Sequence, residues 1–457
     1  MQRYVSYPDY KPSKVDWLGE IPAHWSVKRL KNVATYNDEA LDERTDPDYE
    51  IEYVDISSVS LLKGIECSEK ISFEKAPSRA RRKVKDGDVI VSTVRTYLRA
   101  IAAINNPSDN TVVSTGFAVI RPMGNLHSGY AGYLLQSNGF VGDVVAHSNG
   151  VSYPAINASD LIRIPAVEPP FVEQQTIARF LDHKTAQIDT LIAKKQALLE
   201  KLAEKRSALI SHAVTKGLDL SVPMKDSGVV WLGDIPIDWQ LCQFRRLMIG
   251  GTQNGLYKPK EFFSKDGTPF IQMGEAFSEP IICKAAKDRV LLINTELSQW
   301  ALNKGDLIFA RRSLVFEGSG KCSVIGELPE PHVYESSMIR VRLKTKKIDP
   351  MFAFYFFGSV FGRSQILATT KRVTISGIDS QQLKDVLVCV PSLEEQKRIL
   401  EYIQDTVAQH TNAVERIAKV VARLQEYRSA LITNAVTGKI DVRGFKLPEA
   451  DKETVHA

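Results

Sequence analysis

EQQTIARFLDHKTAQIDTLIAKKQALLEKLAEKRSALISHAV occupies residues 173–214 and contains neither glycine nor proline. Alanine, leucine, lysine, glutamate and glutamine dominate it, and all of them favour helix. Its apolar residues recur at intervals of three and four, which is the spacing of one stripe along a helix. The stripe comprises Ile177, Leu181, Ile188, Leu191, Ile192, Leu198, Leu199, Leu202, Leu209 and Ile210. The stretch therefore predicts a long helix that needs a partner.

The chain supplies a partner by repeating the stretch. Residues 394–436 also lack glycine and proline, and RSALISHAVT at 206–215 returns as RSALITNAVT at 428–437, 222 positions later. Gly217 and Gly438 follow the two stretches, where a helix is expected to stop. We predict that the two helices pair as an antiparallel coiled coil about 60 Å long.

A second repeat precedes each helix. WLGEIPAHW at 17–25 returns as WLGDIPIDW at 231–239, 214 positions later, and GDVIVSTV at 87–94 parallels GDLIFARR at 305–312. Runs of this kind, bounded by glycine, indicate strands within mixed α/β units. We predict an α+β protein in which two such units are joined by two long helices as a pseudo-twofold internal repeat. The predicted boundaries are 1–168 for the first unit with its frame segment, 169–216 for the central helix, 217–390 for the second unit, 391–442 for the C-terminal helix and 443–457 for a tail.

Composition favours a cytoplasmic protein that does not enter a membrane. The chain is 44% hydrophobic and 25% charged, as in ordinary globular proteins. Residues 1–14 contain no apolar run of the kind found in a signal peptide, and the most apolar stretch, 351–362, is too short to cross a bilayer. The five cysteines are widely spaced without a metal-ligand pattern, so we expect reduced thiols and no structural zinc.

Motifs for catalysis are incomplete. EPPF at 168–171 has glutamate where an adenine methyltransferase loop needs asparagine or aspartate, and no glycine-rich turn accompanies it. GSVFGRS at 358–364 lacks both the spacing and the lysine of a phosphate-binding loop. No HExxH pair is present. The sequence therefore predicts no catalytic residue, no metal site and no cofactor in this chain.

Basic clusters point to DNA even though the net charge is only +5. Cationic and small polar side chains hold phosphates, and two-pronged side chains read base edges. In the first unit the candidate DNA-binding residues are Arg79, Arg81, Arg82, Lys83, Ser92, Thr93, Arg95, Tyr97, Arg99, Ser152 and Tyr153. In the second they are Thr252, Gln253 and Asn254 in a predicted glycine-rich turn, with Arg311, Arg312, Ser313, Lys371, Arg372 and Thr374. A core position for Tyr97 and a local ion pair for Arg99 are the structural alternatives.

The repeated frame, the GD-containing strands and the EQxxI segments at 173–177 and 395–399 together resemble the DNA-specificity subunit of type I restriction-modification systems, over residues 11–442. The resemblance implies that each unit is a target recognition domain reading one half of a bipartite, asymmetric site in double-stranded DNA. It implies that the helices set the gap and dock two methyltransferase subunits, to which two motor-nuclease (restriction) subunits can add. It also implies that the partners, not this chain, use S-adenosylmethionine, ATP and Mg.

Two other functions remain open from the residues alone. The chain could be a coiled-coil scaffold whose globular units bind proteins, in which case the basic clusters would not affect DNA binding. It could also be a stand-alone DNA methyltransferase, which the incomplete motif at 168–171 disfavours.

Overall fold

The computed structural model describes residues 4–150, 153–370 and 376–448. They form two compact units: the first runs up to Lys195 and resumes at Ala418, and the second is Gln196–Ile417. Each unit combines β-sheets, short helices and part of both long helices. The predicted α+β class and the two long helices are confirmed.

Strands in the first unit are short and numerous. They are β1 (Tyr10–Pro12), β2 (Glu20–Pro22), β3 (Ser26–Arg29), β4 (Ala34–Tyr36), β5 (Glu50–Val54), β6 (Val59–Ser60), β7 (Gly64–Ile65), β8 (Glu69–Ser72), β9 (Ala80–Lys83), β10 (Val89–Ser92), β11 (Ile101–Ala103), β12 (Thr111–Ser114), β13 (Phe117–Pro122) and β14 (Pro165–Glu168). The helices are α1 (Ser128–Gln136), α2 (Asn138–Ala146), α3 (Ala158–Leu161) and the beginning of α4 (Phe171–Lys216).

Two four-stranded sheets organise this unit. One has the antiparallel order β11-β10-β13-β4, and the other has the order β8-β5-β12-β9, in which β5 and β12 run parallel. The largest core lies between the sheet β11-β10-β13-β4 and the helices. It includes Trp25, Tyr130 and Ile177, together with Leu431 and Val436 from the second long helix.

The second unit repeats part of this plan with additions. Its strands are β15 (Met224–Asp226), β16 (Asp234–Pro236), β17 (Gln240–Gln243), β18 (Met248–Asn254), β19 (Phe263–Ile271), β20 (Ile281–Ile282), β21 (Arg289–Val290), β22 (Leu307–Ala310), β23 (Arg312–Ser313), β24 (Cys322–Ile325), β25 (Val333–Tyr334), β26 (Met338–Leu343), β27 (Ser376–Gly377) and β28 (Leu387–Val390). The helices after α4 are α5 (Met273–Ala276), α6 (Asn294–Trp300), α7 (Pro350–Gly358), α8 (Val360–Thr369), α9 (Ser380–Asp385) and α10 (Leu393–Val436). Its main sheet has the order β18-β26-β22-β24-β20, so β18, β26, β22 and β24 follow the order of β4, β13, β10 and β11.

The repeated tryptophans fasten each unit to helix ends. Trp25 is fully buried and donates from Nε1 to Oε1 of Glu173 at 3.1 Å, near the start of α4. Trp239 donates in the same way to Glu395 at 3.0 Å, near the start of α10. A Cβ on Gly438 would come within 3.0 Å of the Trp25 ring, and one on Gly217 within 3.4 Å of the Trp239 ring. In each unit, therefore, the start of one helix lies beside the end of the other, as in an antiparallel pair.

The glutamine of each EQxxI segment fixes the loop in front of a short helix. Gln174 accepts a hydrogen bond from the backbone of His127 at 2.9 Å, and Gln396 accepts one from the backbone of Asp349 at 2.7 Å. Both amide groups also donate to backbone carbonyls. The EQxxI repeat is thus explained by packing between the long helices and the units.

The compact units divide inside the long helices and not at their ends. Ile177 and Leu431 belong to the core of the first unit, whereas Val214 and Ile399 belong to that of the second. The boundaries predicted from sequence follow the helix ends instead, because composition changes there. Each unit therefore uses one half of each long helix as a wall of its own core.

Residues 4–150, 153–370 and 376–448 include no helix with the length and apolar character needed to cross a bilayer. In the same part of the chain, no group of three or more potential ligands could hold a metal ion. The cysteines are free thiols, and burial raises the pKa of Cys389 to about 12.

Candidate nucleic-acid interface

A loop follows the central strand β10 of the first unit, and its backbone is held from both sides. The amide of Thr93 donates to the carbonyl of Gly116 at 2.8 Å, and the carbonyl of Thr93 accepts from Ile156 at 2.9 Å. Val94 also forms a β-bridge with Ala155. We call residues 93–99 the first clamped loop.

The second unit holds the loop after β22 with the same bonds. The amide of Arg311 donates to Ser337 at 2.8 Å, and the carbonyl of Arg311 accepts from Ile378 at 3.0 Å. Arg312 pairs with Gly377 between β23 and β27. We call residues 311–320 the second clamped loop. Because the clamping bonds that the two loops share use backbone atoms, the loops can carry different side chains on the same support.

Predicted residues of the first clamped loop have distinct environments. The guanidinium of Arg95 lies over the ring of Tyr153 at 4.8 Å, and Tyr97 is 52% exposed, so the core alternative for Tyr97 is wrong. Arg99 donates to the side-chain carbonyl of Asn138 at 2.9 Å, an amide and not the acid that the alternative required. The hydroxyls of Ser92 and Thr93 donate to backbone carbonyls.

The basic cluster at 79–83 is brought to the same part of the first unit by β9. The carbonyl of Arg79 accepts from Thr115, which precedes the glycine that clamps Thr93. The pairing of β9 with β12 is interrupted here, since Arg82 pairs with Val113 and Ala80 with Ser114, so Arg81 is the extra residue of a bulge and falls outside the regular alternation of faces. Arg81 lies over the ring of Phe73 at 4.5 Å. Arg81 therefore has an aromatic partner within the unit.

Arg82 is half-buried and only partly satisfied. Burial lowers its pKa, and its Nε has no hydrogen-bond partner among the residues that the structure describes. A buried cationic donor without an acceptor is unfavourable unless a ligand completes it. A phosphate oxygen would provide such an acceptor.

The predicted glycine-rich turn at 250–255 is wrong. Thr252, Gln253 and Asn254 form the end of β18 and pair with β26, while Gly250 and Gly251 form a bulge with φ values of 67° and 78°. The sequence signal was misleading because left-handed glycines serve bulges as well as turns. Gln253 contacts Arg340 through its side-chain oxygen and donates to the carbonyl of Gln299 at 3.0 Å. Its amide is therefore engaged inside the unit.

Other predicted residues of the second unit surround its clamped loop. Arg312 is exposed, Arg311 is half-buried with a long 3.4 Å hydrogen bond to the carbonyl of Ser336, and the Ser313 hydroxyl accepts from Val315. Lys371, Arg372 and Thr374, and Ser152 of the first unit, lie outside the described residues.

Sequence reasoning missed a residue that braces the second clamped loop. Arg363 of α8 donates to the carbonyl of Glu317 at 2.7 Å and to that of Ser319 at 2.9 Å. Burial lowers its pKa. One signal was available, since Arg363 is the only charged residue between 350 and 369. A lone cation in two apolar helices needs acceptors nearby.

Comparisons with known proteins agree with this double architecture. Residues 22–201 and 247–421 each match the type I restriction modification DNA specificity domain. The chain is 25% identical over 331 residues to the type I restriction enzyme EcoKI specificity subunit of Escherichia coli K12. This match covers 70% of this chain and 68% of that protein. It is 22% identical over 300 residues to the type I restriction enzyme MjaVIII specificity subunit of Methanocaldococcus jannaschii. That match covers 66% of this chain and 68% of that protein.

One solved chain, from work on complex assembly and conformational transition of the type I R-M system, shares the fold with a TM-score of 0.68. It is 21% identical, and the match covers 91% of this chain and 98% of that chain. The resemblance predicted from the repeated motifs is confirmed. Since the family domain matches twice and spans most of the sequence, this protein belongs to the type I restriction-modification DNA specificity family.

Proposed function

We propose that this chain is the sequence-specific DNA-recognition subunit of a type I restriction-modification complex. Each unit reads one half of a bipartite site, and the helices fix the gap. The observation that carries the proposal is the pair of clamped loops, in which one set of backbone bonds supports two different sequences, TVRTYLR at 93–99 and RRSLVFEGSG at 311–320. Because loops of different sequence are held by equivalent backbone bonds, we expect a DNA site whose two halves differ in sequence.

Selection from randomised duplex DNA tests this function. The full chain with its methyltransferase partner is expected to recover two fixed sequence elements separated by a constant gap. Methylome sequencing of a host carrying both proteins should return the same site, with the modified base. Recovered sequences with a single element, or with a variable gap, would contradict the proposal.

Arg312→Ala provides a more local test. Arg312 is exposed beside the clamped backbone, so its loss should weaken DNA binding while leaving the unfolding temperature unchanged. If it contacts a phosphate, the slope of log affinity against log salt should flatten by about 1. Exposed Lys265 of the same unit, outside the clamped loop, gives the matched control Lys265→Ala. Equal salt slopes for all three proteins would instead favour the protein-binding scaffold.

The chemistry in this proposal belongs to partner subunits. Two methyltransferase subunits, which use S-adenosylmethionine, would dock on this chain, and two motor-nuclease subunits using ATP and Mg could add to them. The chain itself would act in the cytoplasm without catalysing a step. Purified chain alone should therefore transfer no labelled methyl group to DNA, and transfer by the chain alone would revive the methyltransferase alternative.

Equivalent surfaces in both units support docking of two partner copies. In the second unit a cavity is lined by His212, Trp231 and Phe361, and the rings of Trp231 and Phe361 lie 4.5 Å apart. In the first unit Trp17 and Gly139 line the corresponding cavity. Trp231 is 55% exposed, so Trp231→Ala should strongly reduce capture of the methyltransferase subunit and lower the unfolding temperature only slightly, through the packing lost against Phe361. Unchanged capture would place docking elsewhere, and Val230→Ala serves as the control.

A further inference from the structure

The tips of both clamped loops expose adjacent apolar side chains to solvent. In the first loop Tyr97 and Leu98 are each 52% exposed. In the second, Leu314 is 85% and Val315 is 61% exposed. Single exposed apolar residues are common, but adjacent pairs that follow the clamped residue by three to five positions in two units of different sequence mark an interaction surface.

The backbone holds the first tip in a defined shape. Thr96–Leu98 forms a 3-10 turn between Arg95 and Arg99, whose φ values are 50° and 54°. Left-handed backbone is unfavourable for arginine and persists where surrounding contacts enforce it. Thr96 is buried and its hydroxyl bonds to that of Ser148 at 2.8 Å. Thr96 thus faces the interior, while Tyr97 and Leu98, the two residues that follow it, are exposed.

The second tip is supported differently but to the same effect. Arg363 holds the carbonyls of Glu317 and Ser319, just after the exposed pair. The Ser313 hydroxyl accepts from the amide of Val315 at 3.2 Å, just before it. The loop is thus anchored on both sides of its apolar tip, and little ordering would be needed on binding.

Charge around the tips selects the occupant. Arg95 stacks on Tyr153 beside the first tip, and exposed Arg312 and Lys321 flank the second. Glu317 is the one acidic residue within either loop. An apolar point surrounded by cations matches duplex DNA, whose phosphates lie outside stacked apolar bases. A protein partner would more commonly meet a broad apolar surface than a narrow tip with a cationic border.

We infer that each clamped loop inserts its apolar tip as a wedge between base pairs of its half-site and bends the duplex there. Tyr97 and Leu98 form the first wedge, and Leu314 and Val315 form the second. Apolar side chains that enter a base step unstack it and kink the DNA, while nearby arginines hold the backbone. Pyrimidine–purine steps unstack most readily, so the wedges would add sequence preference without hydrogen bonds to bases. This inference rests on the proposed function.

The test uses the full chain with its methyltransferase partner and a duplex carrying the selected site. Fluorophores at the two duplex ends report bending, and 2-aminopurine at successive steps of each half-site reports unstacking. The variants are Tyr97→Ser with Leu98→Ser, and Leu314→Ser with Val315→Ser. Leu220→Ser with Val230→Ser is the matched control, because these residues are 87% and 100% exposed outside the clamped loops.

Wild-type and control proteins should shorten the end-to-end distance and brighten 2-aminopurine at one step in each half-site. Each wedge variant should lose the signal in its own half only and bind the site about tenfold more weakly. All proteins should unfold at the same temperature, since the substituted side chains are exposed. If the wild-type protein selects its site but leaves the DNA straight and fully stacked, the wedge inference is wrong and the proposed function still stands. Absence of any site preference would overturn the proposed function and the wedges with it.

Discussion

Asp88 and Asp306 occupy the same position in the two units, after a left-handed glycine and before the central strand. Arg121 grips Asp88 with two hydrogen bonds of 2.8 Å, and Arg342 grips Asp306 with bonds of 2.8 and 2.9 Å. Both carboxylates are 1% exposed, and each pairing raises the pKa of the arginine. The aspartate of each GD repeat therefore forms a structural ion pair with an arginine of its own unit. Its arginine partner could not be assigned from sequence, because sheet register brings it there from another strand.

Replacing Asp88 should test this role. Asp88→Ala leaves Arg121 half-buried without its main partner, so the free energy of unfolding should fall by about 3 kcal/mol. Chemical denaturation followed by circular dichroism would measure it. Asp160→Ala removes a surface ion pair with Arg163 and should change stability by less than about 1 kcal/mol. Similar losses for both variants would contradict a special role for the buried pair.

The long helices were the most predictable elements of the chain. The predicted ranges 173–214 and 394–436 became Phe171–Lys216 and Leu393–Val436, because helix-forming residues and terminal glycines agree with the tertiary packing. The stretch at 248–254 was less predictable, since a bulged strand and a turn use the same glycines. The clamped loops were located only in part: their arginines were visible in the sequence, but the backbone bonds that support them come from residues distant in the chain.

His410 marks an imperfect point in the helix pair. It stands 222 positions after Ile188, which is 6% exposed in the first unit, and its Nε2 is buried without a hydrogen-bond partner among the described residues. His410→Ile should therefore raise the free energy of unfolding by about 1 kcal/mol, measured by chemical denaturation. The exposed neighbour Gln409, changed to isoleucine, should give no comparable gain. A destabilised His410→Ile protein would mean that the imidazole is needed at this point.

The two units differ in how the chain builds them. The second is one continuous stretch, whereas the first is completed by the residues from Ala418 onward. Leu431, Ile432 and Val436 supply part of its core. Domain boundaries drawn from sequence follow the helix ends, because composition changes there, whereas packing divides the helices near their middles.

Truncation after Ile417 should therefore damage the first unit, although most of that unit lies at the opposite end of the sequence. The first unit would lose Leu431 and Val436 from its core and should become protease-sensitive, while Gln196–Ile417 should keep its protection. Limited proteolysis with mass spectrometry would distinguish them. Preferential cleavage of the second unit would contradict this division of the chain.

The interrupted construction of the first unit also affects the order of events during synthesis. Domains usually fold as they leave the ribosome, beginning with the N-terminal one. Here the N-terminal unit cannot close its core until Leu431 and Val436 have emerged, after every residue of the second unit has been translated. The nascent chain must therefore carry its first unit in an incomplete state for most of translation. Chaperones that shield exposed apolar surface would have their longest opportunity to act on that half of the protein.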